Sequence, residues 1–140
     1  MNDIFEVLHL SISVDLPKQI VYDFLSEPRN FPEWASGLCK SISPGEGDEW
    51  LIEAPEGNLR ARFTDRNIHG VLDHYVILES GNEIYIPMRL ISNGSGCELI
   101  LTLFRLADMT SEKFKEDRDW VLKDLHTMRS LLEKKFSKRN

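Results

Sequence analysis

The sequence has little of what metal-binding, disulfide-bonded or membrane-spanning proteins depend on. Its 140 residues include two cysteines, Cys39 and Cys97, and four histidines. None of these residues shows the Cys-x-x-Cys or His-x-x-x-His spacing of a zinc site. We therefore predict no metal and no cofactor, and we expect both cysteines to be reduced core residues. No apolar run approaches the roughly 20 residues that span a membrane.

The chain also lacks a net positive charge. The net charge of −6 argues against nucleic acid as a partner, because phosphate groups are bound by basic surfaces. Four cations do cluster late in the chain, at Lys134, Lys135, Lys138 and Arg139. We interpret them as the last turns of a helix, where cations complement the helix dipole. The first residues lack the basic and apolar regions of a signal peptide, so we expect a cytoplasmic protein.

The sequence does contain a long amphipathic helix in its last thirty residues. Thr110 is the expected N-cap, and the apolar residues that follow recur at helical spacing, at Phe114, Val121, Leu125, Met128, Leu132 and Phe136. In the first half of this helix, Asp117 and Arg118 fall on either side of the apolar stripe. We expect this half to border a cavity and the second half to pack on the core.

Two short helices are predicted near the beginning of the chain. Residues 4–14 alternate as a half-buried strand does, and Leu16-Pro17 then indicates a helix start with Asp15 as its cap. This helix is expected to end at residues 26–28. One or two further turns are expected over residues 30–37, with Asn30 as cap and Gly37 as terminator.

From residue 39 onward the sequence indicates strands divided by turn residues. Strands are predicted over residues 49–54, 59–66, 71–78, 83–91 and 97–106, and the turns between them are rich in Gly, Pro and Asn. Tight turns at this spacing favour an antiparallel meander. The prediction is a single α+β domain over residues 1–140, with a curved antiparallel sheet of about seven strands closed by the long helix.

At this level of detail the chain resembles the SRPBCC superfamily of START domains, the birch pollen allergen and polyketide cyclase-like proteins. The resemblance is carried by residues 16–24, by Asn30-Phe31-Pro32-Glu33-Trp34 and by the final helix. Three further segments, residues 70–74, 87–89 and 101–105, resemble an uncharacterised polyketide cyclase-like branch. The resemblance implies a helix-grip fold that encloses a hydrophobic ligand cavity between sheet and helix. It supplies no catalytic motif to carry over.

His74 is the best candidate for a catalytic residue. It shares a face with Leu72, Val76 and Leu78, the more apolar side of its strand. A histidine there lies in the cavity, where it could act as an acid or base or bond a ligand carbonyl. The alternative is a histidine satisfied within the core. Asp73 is adjacent, but it points to the opposite face of an ideal strand.

The other candidates are ligand-binding residues, each with a structural alternative. Trp34 either covers one end of the cavity or packs the short helices on the sheet, and Trp50 and Tyr85 are similar cases. Simple alternation places Arg89 outside, unless a bulge at Pro87 reverses the phase. The predicted ligand-binding set is Trp34, Trp50, His74, Tyr85, Met88, Arg89, Asp117, Arg118 and Val121.

Three functions remain open at this point. The first is the binding of a small hydrophobic ligand, lipid-, polyketide- or aromatic-like, with affinity from apolar burial and one or two polar groups to orient it. The second is a cyclase- or dehydratase-like enzyme that uses His74. The third is a protein-interaction module. The oligomeric state is either monomer or homodimer.

Overall fold

The computed structural model describes residues 4–35, 38–55 and 57–137. The helix terminator predicted at Gly37, the start of the chain, and the basic residues Lys138 and Arg139 lie outside these ranges. The elements in chain order are β1 (Val7–Val14), α1 (Lys18–Leu25), a 3₁₀ turn (Pro28–Asn30), α2 (Phe31–Trp34), β2 (Ser41–Pro44), β3 (Glu49–Ala54), β4 (Gly57–Phe63), β5 (His74–Ile77), β6 (Glu83–Ile86), β7 (Met88–Asn93), β8 (Gly96–Phe104) and α3 (Ser111–Phe136).

The strands form a curved antiparallel sheet in two hydrogen-bonded parts, β1-β8-β7 and β2-β3-β4-β5-β6. The parts meet at Pro87, which divides the predicted strand 83–91 into β6 and β7. Backbone bonds still cross the junction, from the Leu72 amide to the Met88 carbonyl (2.8 Å) and from the Thr102 amide to the Pro87 carbonyl (3.1 Å). The predicted α+β helix-grip architecture is confirmed, with eight strands because of this break.

The long helix α3 packs against β1 and α2. Its predicted cap is confirmed, because the Thr110 hydroxyl accepts from the Lys113 amide at 3.1 Å. Leu125, Met128 and Leu132 in its second half are at most 1% exposed, whereas Val121 is only half-buried. The second half is therefore core, as predicted.

Several local predictions differ from the structure. Pro17, not Asp15, occupies the N-cap of α1, and the Asp15 amide instead donates to the Glu133 carboxylate at 2.8 Å. Asn30 does stand at the N-cap of α2, but its side chain donates to the Phe24 carbonyl (2.9 Å) rather than capping. β5 begins at His74 because Val71 forms only an isolated bridge. No helix in the described ranges is long and apolar enough to cross a membrane.

Candidate functional site

His74 lies on the inner face of the sheet and is 4% exposed. Its Nδ1 is 3.1 Å from the Leu72 carbonyl oxygen. Since a carbonyl can only accept, Nδ1 carries the proton and Nε2 is the acceptor of a neutral ring. Burial lowers the pKa of His74, more than the bond to Leu72 and the charge of Asp73 raise it. The imidazole is therefore neutral at pH 7.

His74 belongs to a set of four rings that we call the aromatic cluster: Phe31, Trp34, Phe63 and His74. Phe63 pairs with His74 across β4 and β5, with ring centroids 5.5 Å apart. Phe31 meets the His74 ring edge-on at 5.8 Å and the Trp34 ring at 4.9 Å. The short helix α2 thus brings Phe31 and Trp34 onto the sheet beside His74.

Trp34 carries an unsatisfied polar atom. The residue is 5% exposed, and its Nε1 is buried with no hydrogen-bond acceptor, alone in this respect among the side chains of the described residues. An unmet buried donor costs about 1–3 kcal/mol. Such an atom in a folded protein calls for an explanation, and a ligand that supplies an acceptor is one.

Two more of the predicted residues lie on the inner face but outside the aromatic cluster. Trp50 on β3 pairs with Ala61 and is half-buried, with the guanidinium of Arg29 5.0 Å from its ring centroid. Met88 is 1% exposed and packs in the core.

Tyr85 and Arg89 lie on the outer face, where the structure joins them to Asp73. Arg89 donates from Nε and Nη2 to the two Asp73 carboxylate oxygens at 2.8 and 2.6 Å, Tyr85 from its hydroxyl at 3.0 Å, and the Met88 amide at 2.9 Å. Burial would raise the pKa of Asp73, but these bonds together hold it below its usual value. Pro87 therefore leaves the strand phase unchanged, and these two residues do not join the inner-face candidates.

Two of the predicted ligand-binding residues on α3 form ion pairs with other residues of the same helix. Asp117 accepts from Lys113 one turn earlier at 2.8 Å, and Arg118 contacts the neighbouring Asp119 at 3.1 Å. Val121 is half-buried and packs against the core.

Asp124 is a residue that sequence reasoning missed. It is half-buried on α3, and burial raises the pKa of its carboxyl to about 6, slightly offset by Lys123. The signal was its spacing, because Asp124 stands one turn after Val121 and one turn before Met128 on the same flank of the helix. Phe31 and Phe63 were also missed as members of a site.

The remaining chemistry of the described residues is sparse. Both cysteines are buried and form no disulfide, and burial raises the pKa of each thiol to about 11. No group of three or more His, Cys, Asp or Glu side chains in these ranges could hold a metal ion. An open groove of about 530 Å³ runs along β2, β3, β4 and β5, lined by Ser41, Glu53, Arg60 and Ile77 among others. It is not the cavity predicted between sheet and helix, which stays a prediction.

The curved antiparallel sheet, the two short helices and the closing helix define the helix-grip fold of the START domains and birch-pollen-allergen-like proteins. No protein-family model and no curated protein matches the sequence. Solved structures match the fold at low identity. Ara h 8.0201 has a TM-score of 0.71 at 9% identity, over 92% of this chain and 98% of its own.

Two further structures show the range of proteins with this fold. The Zhui aromatase/cyclase from Streptomyces sp. R1128 has a TM-score of 0.69 at 13% identity, over 96% of this chain and 98% of its own. The Aha1 dimer from Colwellia psychrerythraea has a TM-score of 0.70 at 15% identity, over 96% of this chain and 99% of its own. At such identities the likeness establishes the fold alone.

Proposed function

We propose that the protein binds a small, largely apolar molecule between the inner face of the sheet and the first half of α3. The observation that carries this proposal is a gradient of burial along the inner face. Ile12, Leu90 and Leu99, which face one another across β1, β8 and β7, are 7%, 1% and 0% exposed. This part of the inner face is fully covered.

The other end of the inner face is covered less completely. Phe63 and Ile86 flank His74 in a row across β4, β5 and β6, and Leu8 pairs with Leu103 across β1 and β8. All four apolar residues are only half-buried. Because β8 ends at Phe104 and α3 begins at Ser111, this is the end over which the first half of α3 lies.

An apolar ligand would complete this incomplete packing. Covering apolar surface contributes about 25 cal/mol per Å² before ordering costs. The similarity of fold to a pollen-allergen-type protein and to an aromatase/cyclase supports a hydrophobic ligand. It does not identify one.

Two measurements test this function. Native mass spectrometry of freshly purified protein would reveal a co-purifying ligand, and equilibrium dialysis with 2-methylnaphthalene would measure binding of a purely apolar probe. Val121→Trp should fill the space and weaken probe binding at least tenfold. The matched control is Val7→Trp, the same change on the outer face of β1, which should leave binding intact. No bound ligand and no probe binding by the wild-type protein would refute the proposal.

A second candidate is a cyclase- or dehydratase-like enzyme. It is favoured by one observation, the neutral His74 ring whose Nε2 lone pair has no partner among the described residues. Incubating the protein with any co-purified ligand and following its mass distinguishes binding from dehydration. A binding protein returns the ligand unchanged, whereas a dehydratase returns it with water lost.

A further inference from the structure

We infer that the exposed face of α3 pairs with the same face of a second copy of this chain, with the two helices antiparallel and related by a two-fold axis. The inference goes beyond the proposed function and does not depend on it, since this face of α3 points away from the sheet. It follows from the spacing, the charges and the sizes of the residues that α3 exposes.

Six exposed residues of α3 form one narrow stripe, which we call the outer seam. Its members are Glu116, Trp120, Lys123, Thr127, Ser130 and Lys134. They fall within an arc of about 80° around the helix, on the side opposite the buried Leu125, Met128 and Leu132. They follow one another at alternating steps of four and three residues. This is the spacing at which two helices pack along their length.

The outer seam has the same spacing when it is read in either direction. Its members form three pairs that are equidistant from Leu125 in the sequence: Glu116 with Lys134, Trp120 with Ser130, and Lys123 with Thr127. A two-fold axis at the level of Leu125 therefore places the two members of each pair opposite each other across two antiparallel copies. At 1.5 Å per residue the outer seam is about 27 Å long.

The charges at the two ends of the outer seam are opposite in sign. The antiparallel pairing places Glu116 of each copy opposite Lys134 of the other. Neither side chain has an ion-pair partner among the described residues, whereas Asp117 and Arg118 are paired within the helix. A parallel pairing would place glutamate against glutamate and lysine against lysine. Charge therefore favours the antiparallel pairing.

The side chains in the middle of the outer seam are complementary in size. Trp120 is 52% exposed, although the Lys123 ammonium lies 4.8 Å from its ring centroid. The residue opposite Trp120 is the much smaller Ser130, which lines an open hollow of about 640 Å³. Four residues that line this hollow have the i, i+3, i+4, i+7 spacing of a hole that receives a side chain from a facing helix. They are Thr127, Ser130, Leu131 and Lys134.

A second copy of the chain is the partner that fits this face. It supplies the tryptophan for the hollow, the hollow for the tryptophan, and the reversed order of charges. A contact along one face of one helix is smaller than a standard stable interface. We therefore expect a weak dimer that forms over roughly micromolar to millimolar concentrations.

Sedimentation equilibrium of the wild-type protein over this concentration range tests the inference. We expect Trp120→Ala to weaken the dimer at least tenfold, because tryptophans at the centre of an interface are frequent anchors. The matched control is Ile91→Ala on β7, which truncates a side chain of similar exposure (51%). It should leave the dimer unchanged.

An exchange of charges tests the antiparallel geometry. Lys134→Glu brings two glutamates together at each end of the paired seams, and Glu116→Lys brings two lysines together. Each variant alone should therefore dimerise about tenfold more weakly. An equimolar mixture of the two variants should form a heterodimer about as tight as the wild-type dimer, because opposite charges then face each other at both ends.

Lys115→Glu is the matched control for Lys134→Glu. It makes the same change in net charge at an exposed position of α3, about 100° around the helix from the middle of the outer seam. It should leave the affinity nearly unchanged. All substituted positions are exposed, and thermal unfolding of each variant checks that it is folded.

Two outcomes would overturn the inference. A wild-type protein that stays monomeric at about 1 mM would show that the outer seam is only a solvated helix face. Dimers that Lys115→Glu weakens as much as Lys134→Glu does, or a mixture no tighter than its single variants, would show that another surface pairs. No ligand enters these measurements, so their failure leaves the proposed function standing.

Discussion

Asp124 carries a carboxyl group whose surroundings disfavour its charge. Burial raises its pKa from 3.8 to about 6, so the folded protein holds this proton more tightly than the unfolded chain does. Between those two pH values the folded state loses stability as pH rises. Above pH 6 the folded state carries the full free-energy cost of burying the ionised carboxyl group, and below pH 3.8 it carries none.

We therefore expect Asp124→Asn to stabilise the protein at pH 8. The pKa difference corresponds to a few kcal/mol, and partial exposure reduces the expected gain to about 1–2 kcal/mol. Urea unfolding at pH 8 and at pH 4 measures it. The gain should shrink toward zero at pH 4, and an equal gain at both values would contradict the assigned cause.

Asp117→Asn is the matched control. It removes the same charge from the same helix flank, two turns earlier, but it also breaks the contact with Lys113. Exposed pairs of this kind contribute about 0.3–0.5 kcal/mol. No gain is expected at either pH.

At the residue scale the sequence predicted some site members and missed the relation between them. Alternation placed His74 inside and favoured the outer face for Tyr85 and Arg89, but Pro87 left the phase of these two residues open and both stayed in the predicted ligand-binding set. Alternation could not show that Arg89 forms an ion pair with Asp73, because that contact joins residues outside a single strand. The sequence also could not show that the Trp34 indole nitrogen lacks a hydrogen-bond acceptor, because that depends on every neighbouring atom in the folded structure.

At the scale of elements, the junction of the two sheet parts depends on Gly70. This residue has φ +75°, and a Cβ there would lie 2.5 Å from the Leu90 carbonyl oxygen. Its own carbonyl accepts from the Leu90 amide at 2.9 Å. The loop before β5 can therefore reach β7 only with a residue that lacks a side chain.

Gly70→Ala is expected to cost about 2–4 kcal/mol, from backbone strain together with the clash. Gly81→Ala is the control, since Gly81 also has a positive φ (+94°) but nothing within 4 Å of a Cβ. It should cost only about 1 kcal/mol. Urea unfolding of both variants checks this difference, and equal losses would show that strain alone matters.

Element boundaries were predicted less well than element types. The sequence correctly predicts β3 over residues 49–54, since turn residues bound it on both sides. It placed the start of β5 three residues early, because the β-prone Val71 and Leu72 belong to the junction at Pro87. Asp15 is not the cap because α1 begins later than predicted, at Lys18 with Pro17 at its N-cap.

For the whole molecule, the difference in burial between Leu132 and Val121 on α3 predicts unequal costs of truncation. Leu132→Ala removes a side chain at 0% exposure and should cost about 2–5 kcal/mol. Val121→Ala, at a half-buried position, should cost about 1 kcal/mol or less. Thermal or urea unfolding compares them. A cost for Val121→Ala as large as that for Leu132→Ala would place Val121 in the closed core and remove the proposed ligand space.

The overall architecture was the most predictable property of this chain. Strand alternation, turn residues and the helical stripe agree with one another, and the order of elements leaves few topologies open. The proposed ligand space was not predictable to the same degree. It depends on how far a curved sheet stands from its helix, and that distance is not encoded in any single periodicity.

The pairing of β1 with β8 has a consequence for how the molecule is made. Val7 faces Phe104 across this ladder, so β1 gains its partner strand when β8, the last strand of the described residues, has formed. Pairings so distant in sequence close slowly, and the inner face remains uncovered until α3 emerges after them. During that interval the surface that is proposed to bind a ligand is open to any apolar chain nearby. The helix that covers the proposed binding surface is thus also the element whose late arrival sets the period of greatest risk of aggregation.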